Sequence, residues 1–161
     1  SIPGNALSSS ISLNPPRIIV TGRIKHFISA FGEHVIGKEV EEAMNMNTKN
    51  TKISVSEFTV APQITPNNGL PYHEWFVEFV KKPENLKEFA QKVDTSLQTQ
   101  NSYYKDLITG KILQQLKIRA VEKGGFNNYM KSIGKLGGQN KVPRLSNDRK
   151  IANELVKFLE K

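Results

Sequence analysis

Cysteine is absent from the 161 residues of this chain, and its absence excludes several kinds of chemistry at once. There can be no disulfide framework, no thiolate metal site and no cysteine nucleophile. A chain without cysteine also suits the reducing interior of a cell, so we expect a cytoplasmic location.

Long apolar runs are missing as well. No stretch approaches the roughly 18 residues that a membrane-spanning helix needs, so we expect no membrane partner. The first residues, SIPGNALSSSIS, lack the basic start and apolar centre of a secretory signal. Because Ser, Gly, Asn and Pro dominate them, we expect residues 1–15 to form an arm or linker and residues 16–161 to form one domain.

Histidine occurs only three times, at His26, His34 and His73. The segment HEWFV lacks the second histidine of a zinc-protease helix and alternates like a strand, so we expect no bound metal. A Walker phosphate loop would need glycine where the chain has Tyr129, and no G-x-G-x-x-G occurs. The residues alone therefore indicate no self-contained enzyme of a recognisable kind.

Positive charge is in excess, with 23 Lys and Arg against 15 Asp and Glu and a net charge of +8. Such a charge favours anionic partners, for example a nucleotide, nucleic acid, acidic lipid or an acidic protein surface. The excess is concentrated in residues 131–150, which contain one acid, Asp148, beside the bases Lys131, Lys135, Lys141, Arg144, Arg149 and Lys150.

Hydrophobic periodicity predicts a small α+β domain, in which helices pack on a mostly antiparallel sheet. Strands are predicted at 18–20, 24–28, 52–64 (with a bulge), 72–80 and 116–120. Trp75, Val77 and Phe79 share one face, which indicates core packing rather than base stacking. Helices are predicted near 36–46, from Pro83 in a first turn to Leu97, after Gly124-Gly125, and after a capping Ser146, with a turn at Gly110.

Two features remain as candidates for function. Arg23 and Lys25 follow a glycine turn, and Lys141 lies in the glycine-rich stretch SIGKLGGQNKVPRLS at 132–146. Each has a structural alternative, because charged residues protect exposed edge strands from aggregation and a lone lysine in a loop is commonly only solvated.

The stretch TGRIKHFISAFGEHVIGKEVEEA, at 21–43, resembles the signature that opens the C-terminal domain of adenylate-forming ligases. That signature is Gly-Arg, a variable residue, Asp or Lys, a glycine-containing loop and the start of an acidic helix. The matching residues here are Gly22-Arg23-Ile24-Lys25, Gly32–Ile36 and Glu39-Val40-Glu41. At His34 the chain departs from the superfamily, which usually has Arg or Lys there.

Further motifs resemble the auxin-responsive-promoter (Gretchen Hagen) family of acyl acid amido synthetases, particularly its bacterial branch. The likeness extends from Ser12 to the C-terminus and rests on SLNPPRI, SEFTVAP, YHEWFVEF, LKIRAVEKGGFNNYM and NKVPR. In plant members the last of these motifs begins with tyrosine, whereas this chain has Asn140.

The resemblance implies the C-terminal mobile domain of an ATP-dependent ligase, which joins a carboxylic acid to an amino acid amine through an acyl-adenylate. ATP and Mg²⁺ would be bound mainly by an N-terminal adenylation domain of the same polypeptide, so we expect these 161 residues to be inactive alone. The implied site residues are the catalytic adenylation Lys141, the hinge Lys25, the nucleotide-binding Arg23 and Arg144, and Gly32 and His34 on the acceptor-side loop.

Two other interpretations stay open at this point. An acyl–coenzyme A ligase of the same superfamily would use a thiol in place of the amine. A nucleic-acid-binding module would suit the net charge, but no nucleic-acid motif is present, so we expect no nucleic-acid partner.

Overall fold

The computed structural model of the chain describes residues 27–135, 137 and 141–161. In chain order the elements are β1 (Phe27–Ile28), β2 (Val35–Ile36), α1 (Gly37–Thr48), β3 (Ser54–Gln63), β4 (Tyr72–Lys81), α2 (Leu86–Gln100), α3 (Ser102–Thr109), β5 (Lys117–Val121), α4 (Gly125–Ser132), α5 (Lys150–Leu155) and a closing 3₁₀ turn (Val156–Phe158). The α+β class predicted from the sequence is confirmed.

The central sheet has three strands in the order β3–β4–β5. Strands β3 and β4 form an antiparallel hairpin, whereas β5 lies parallel to β4, so the sheet is mixed. Strands β1 and β2 form a separate antiparallel pair. The pairing of β3 with β4 changes register between Ser54 and Glu57, which confirms the predicted bulge.

Alternation along β4 sends its large side chains to opposite faces of the sheet. Trp75, Val77 and Phe79 lie in the larger core, with residues of α1 and α2, as predicted. Phe76 lies in a second core, with residues of α4 and α5. The sheet therefore has helices on both faces, and each large apolar side chain buried in this way contributes about 1.5–3 kcal/mol.

Asparagine side chains cap two of the helices on the larger core. The Asn85 side chain accepts from the backbone N–H of Glu88 at the start of α2, so the prediction that Pro83 lies in the first turn is wrong. Asn101 ends α2, and its side chain accepts from Tyr104 N–H to begin α3. The sequence pattern predicted only a turn in this region, so α3 is an addition to the predicted elements.

The last helix begins later than predicted. It starts at Lys150, and the Asp148 carboxylate accepts the Lys150 N–H at 3.0 Å. Ser146 instead donates its backbone N–H to the Val60 carbonyl at 2.9 Å, so its predicted role as the cap is wrong.

Several predicted features lie outside the described residues. They are the arm at 1–15, the strand at 18–20 and the first part of the strand at 24–28, of which β1 is the described end. No helix in the described ranges has both the length and the apolar character needed to cross a bilayer.

Candidate functional site

The segment Lys141–Ser146, here called the edge segment, runs along the outer edge of β3. Val142 and Leu145 are buried, and Leu145 forms a parallel bridge with Val60. Three hydrogen bonds hold the segment to the strand: Val60 N–H to Arg144 O at 3.0 Å, Ser146 N–H to Val60 O at 2.9 Å, and Thr59 Oγ1 to Pro143 O at 2.6 Å. Lys141 is exposed at the start of this fixed segment.

Arg144 makes the side-chain contacts that join the edge segment to β3. Its Nη1 donates to the Glu57 carboxylate at 2.7 Å and to the Phe58 carbonyl at 2.6 Å. The guanidinium lies over the Phe58 ring, 4.1 Å from the centroid, and that ring stacks on Trp75 at 5.4 Å. Arg144 Nε lies 3.6 Å from Glu41 Oε1, beyond hydrogen-bond distance.

A small cavity beside the edge segment is lined by Lys141 together with two carboxylates, those of Glu57 and Glu78. Glu78 accepts from the backbone N–H groups of Gly124 and Phe126, each at 3.1 Å. It thereby caps the N-terminus of α4, which begins after a left-handed glycine with φ of 81° and has no capping side chain of its own. No described residue forms an ion pair with Lys141.

The loop Ser29–His34, here called the N-terminal loop, carries the two predicted acceptor-side residues. Gly32 and His34 are both exposed and have positive φ angles, of 90° and 52°. Between them, Glu33 is completely buried. The two unusual backbone conformations therefore turn one carboxylate inward and leave its neighbours facing solvent.

Glu33 is bound by a buried histidine. Its Oε2 lies 2.7 Å from His73 Nε2, and its Oε1 accepts from the Phe31 N–H at 2.7 Å. Burial by itself would raise the pKa of Glu33, but the hydrogen bond and charge of His73 and the Phe31 N–H outweigh it and lower that pKa. Because a carboxylate only accepts, His73 Nε2 carries the shared proton. The opposite nitrogen, His73 Nδ1, is buried and has no hydrogen-bond partner among the described residues.

Two further groups fix the same loop. Asn101 donates to the carbonyls of Glu33 at 3.0 Å and His34 at 3.4 Å. The His73 ring packs against Tyr104, with centroids 5.1 Å apart, and the Tyr104 hydroxyl donates to the buried Asp94 carboxylate. Burial and the Asp94 charge raise the pKa of Tyr104 well above its usual value, so the phenol stays protonated as a donor.

The two candidate segments adjoin each other. Ser29, at the start of the N-terminal loop, donates its N–H to the Asn147 side chain at 3.0 Å, just past the edge segment. The structure thus places Lys141 and Arg144 in one segment and Gly32 and His34 in a neighbouring loop. Arg23 and Lys25 lie outside the described residues, so their roles stay predictions.

Sequence reasoning missed the acidic residues and the histidine that hold these segments. The available signal was polar residues inside an apolar strand: His73 and Glu74 are only 1% and 2% exposed within β4. Buried ionisable groups need partners, and the partner of His73 is Glu33, 40 residues away. Within the described ranges, no group of three His, Cys, Asp or Glu residues could hold a metal ion.

Comparison with known proteins defines the class to which this fold belongs. Residues 38–150, more than half of the chain, match the family model described as the GH3 family C-terminal domain. The chain therefore belongs to the GH3 family, which confirms the family predicted from the motifs. No curated protein sequence matches the chain.

Solved structures agree in fold. A structure titled GH3.15 acyl acid amido synthetase superposes with a TM-score of 0.66 at 18% identity over 85% of this chain. A second, AtGH3.15 acyl acid amido synthetase in complex with 2,4-DB, gives 0.64 at 16% identity, also over 85%. The chain spans 26% of the length of each of these proteins.

Proposed function

We propose that the chain is the C-terminal domain of an ATP-dependent acyl acid amido synthetase, and that Lys141 is its adenylation lysine. The observation that carries this proposal is an exposed lysine, without an ion pair among the described residues, at the start of a segment fixed to the sheet edge. Lys141 also falls within residues 38–150, which match the GH3 C-terminal family.

The proposed reaction has two steps. First, an oxygen of the acid's carboxylate bonds to the α-phosphorus of ATP, and the bond from that phosphorus to the bridging oxygen breaks, so pyrophosphate leaves with the electron pair. Second, the amine nitrogen of an amino acid bonds to the acyl carbon, AMP leaves, and the nitrogen loses a proton. The product is an amide.

The part of Lys141 belongs to the first step. Negative charge is crowded where a carboxylate approaches a phosphate, and a compact ammonium on a flexible stem can neutralise it. As the family resemblance implies, we assign the Mg²⁺ that accompanies ATP mainly to the N-terminal adenylation domain. That domain is also the proposed partner, and the proposed location is the cytoplasm.

The other site residues complete the proposal. Lys25 is the hinge about which the domain turns between the two steps, and Arg23 is a nucleotide contact. Gly32 and His34 lie on the acceptor side, where their exposure in the N-terminal loop leaves them accessible to an incoming amine.

The test is Lys141→Ala in the full-length enzyme. Formation of the adenylate, followed in single-turnover assays by pyrophosphate release, should fall by about 10²–10³-fold, as when one charge-stabilising donor is removed. Amine capture from a supplied acyl-adenylate should change much less. Lys131→Ala, an exposed lysine at the end of α4, is the matched control and should leave both steps unchanged.

Two results would contradict the proposal. One is an equal loss of both half-reactions in Lys141→Ala. The other is pyrophosphate release by the 161-residue chain alone with any carboxylic acid and ATP. Including coenzyme A beside the amino acids as acceptors distinguishes an amide-forming enzyme from a thioester-forming one.

A further inference from the structure

The cavity beside Lys141 is lined by carboxylates that can compete with the reactants for the lysine ammonium. Glu57 and Glu78 both line this cavity with it. An ammonium paired with a carboxylate has its charge largely neutralised, and would have to give up that partner before stabilising an anionic reactant. For Lys141 to stabilise ATP and a carboxylic acid, both glutamates must therefore be bound to other groups.

Both glutamates accept hydrogen bonds from groups other than Lys141. Glu78 accepts the two backbone N–H groups at the start of α4. Glu57 is bound by Arg144 Nη1 at 2.7 Å, an ion pair in which both side chains are about 30% exposed or less. Glu57 Oε1 also accepts from the neighbouring Phe58 N–H at 3.0 Å, so Arg144 is the one side chain that binds this carboxylate among the described residues.

We propose that Arg144 is a positioning residue that holds Glu57 away from Lys141 and so keeps the Lys141 ammonium available for the reactants. This inference rests on the proposed function of Lys141. It assigns Arg144 a role different from the nucleotide contact that the family resemblance implies.

The contacts of Arg144 suit this role better than those of a lysine would. A guanidinium can bind the Glu57 carboxylate and the Phe58 carbonyl together while it stacks on the Phe58 ring. That ring is itself fixed by stacking on the fully buried Trp75. The carboxylate is therefore held in one place, and the backbone of Arg144 fixes the edge segment by its bond to Val60.

The main experiment uses the full-length enzyme and single-turnover pyrophosphate release. Arg144→Gln should slow adenylation by about tenfold, because Glu57 becomes free to pair with Lys141. Adding Glu57→Gln to that variant should restore most of the rate, since no competing carboxylate remains. Arg144→Lys should give a rate between those of the unchanged enzyme and Arg144→Gln, because it keeps the charge but loses the stacking on the Phe58 ring.

Arg119→Gln is the matched control. Arg119 also pairs with a glutamate of the sheet, Glu74 at 2.9 Å, but it lies on β5 at the opposite edge from Lys141. Its removal should leave adenylation unchanged. The melting temperature of each variant should be recorded beside its rate, so that a loss of folded protein is not read as a loss of rate.

A second measurement follows Lys141 directly in the 161-residue chain. The rate at which an N-hydroxysuccinimide acetate ester acetylates Lys141, followed by peptide mass spectrometry, should fall about fivefold in Arg144→Gln and recover in the double variant. This readout does not depend on ligase activity. If Lys141→Ala retains adenylation while the labelling result holds, the proposed function fails and the pairing proposal stands.

The opposite pattern would overturn the inference. If the double variant stays as slow as Arg144→Gln in both assays, Arg144 acts on the nucleotide or only anchors the edge segment. Equal labelling of Lys141 with and without Arg144 would likewise show that Glu57 is no competitor.

Discussion

The N-terminal loop and the edge segment hold their exposed residues in different ways. The N-terminal loop is fixed by Glu33 and His73, which are 0% and 1% exposed. The edge segment is fixed by backbone bonds to β3 and by Arg144 and Glu57, which are 30% and 27% exposed. Both arrangements leave a neighbouring residue, His34 or Lys141, facing solvent.

The difference in burial decides how much each side-chain pair contributes to stability. A buried charge that water cannot reach is stabilised only by its partner. Breaking the buried pair therefore lowers the free energy of unfolding. A partly exposed charge can be hydrated when its partner is removed, so breaking the pair of Arg144 and Glu57 costs little stability. We therefore expect changes in the N-terminal loop to act mainly on the fold, and changes at Arg144 to act mainly on the properties of Lys141.

The largest expected effect is that of Glu33→Ala on stability. The change leaves the buried His73 Nε2–H and the partly buried Phe31 N–H without their acceptor, beside a His73 Nδ1 that already has no described partner. The free energy of unfolding in urea, followed by circular dichroism, should fall by about 3 kcal/mol or more.

Glu42→Ala is the control for this change, because Glu42 is an exposed acid of α1. It should change stability by about 0.5 kcal/mol at most. A loss below about 1 kcal/mol in Glu33→Ala would show that the buried pair is not the main anchor of the loop.

The elements that sequence periodicity predicted are those with a continuous apolar pattern. Strand β4 alternates around Trp75, and α2 repeats apolar residues from Leu86 to Leu97, so each was predicted from its own residues. Helix α3 was missed because its eight residues give only two turns of pattern, and only Tyr104 among them is buried. Its one local signal was Asn101 as an N-cap.

The site was less predictable than the fold for a physical reason. Lys141 stood out by its basic, glycine-rich stretch, and its role and that of Arg144 came from motifs of a known family, not from periodicity. Their partners are remote, since Arg144 and Glu57 are 87 residues apart and His73 and Glu33 are 40 apart. Side-chain pairs between distant positions depend on the assembled sheet, and a single sequence contains no local pattern for them.

A smaller loss of stability is expected when the pH is lowered. The pKa of Glu33 is below its ordinary value of 4.5 because the bond and charge of His73 and the Phe31 N–H outweigh the effect of burial. A carboxyl with a lowered folded-state pKa stabilises the fold above its unfolded-state pKa, and this contribution is lost as pH falls through the folded-state value.

Urea unfolding at pH 7 and at steps below pH 4.5 tests this linkage. The chain should lose stability over that range by more than Glu33→Gln does, because the amide has no proton to gain. Equal losses in the two proteins would assign the acid sensitivity to other carboxyl groups.

The smallest effect on stability is expected for Arg144→Gln. This variant tests whether the edge segment depends less on its ion pair than the N-terminal loop depends on Glu33 and His73. Arg144 is 30% exposed, the backbone bonds of the edge segment remain, and Glu57 can be hydrated, so the loss should be about 1 kcal/mol. Lys157→Ala, which removes a surface pair with Glu154, gives the baseline for an exposed ion pair and should cost about 0.5 kcal/mol or less.

A loss of about 3 kcal/mol in Arg144→Gln would place the pair of Arg144 and Glu57 in the same class as the buried pair of Glu33 and His73. The two segments would then be held by the same means, and a slow adenylation rate in that variant would reflect a displaced segment rather than a paired lysine.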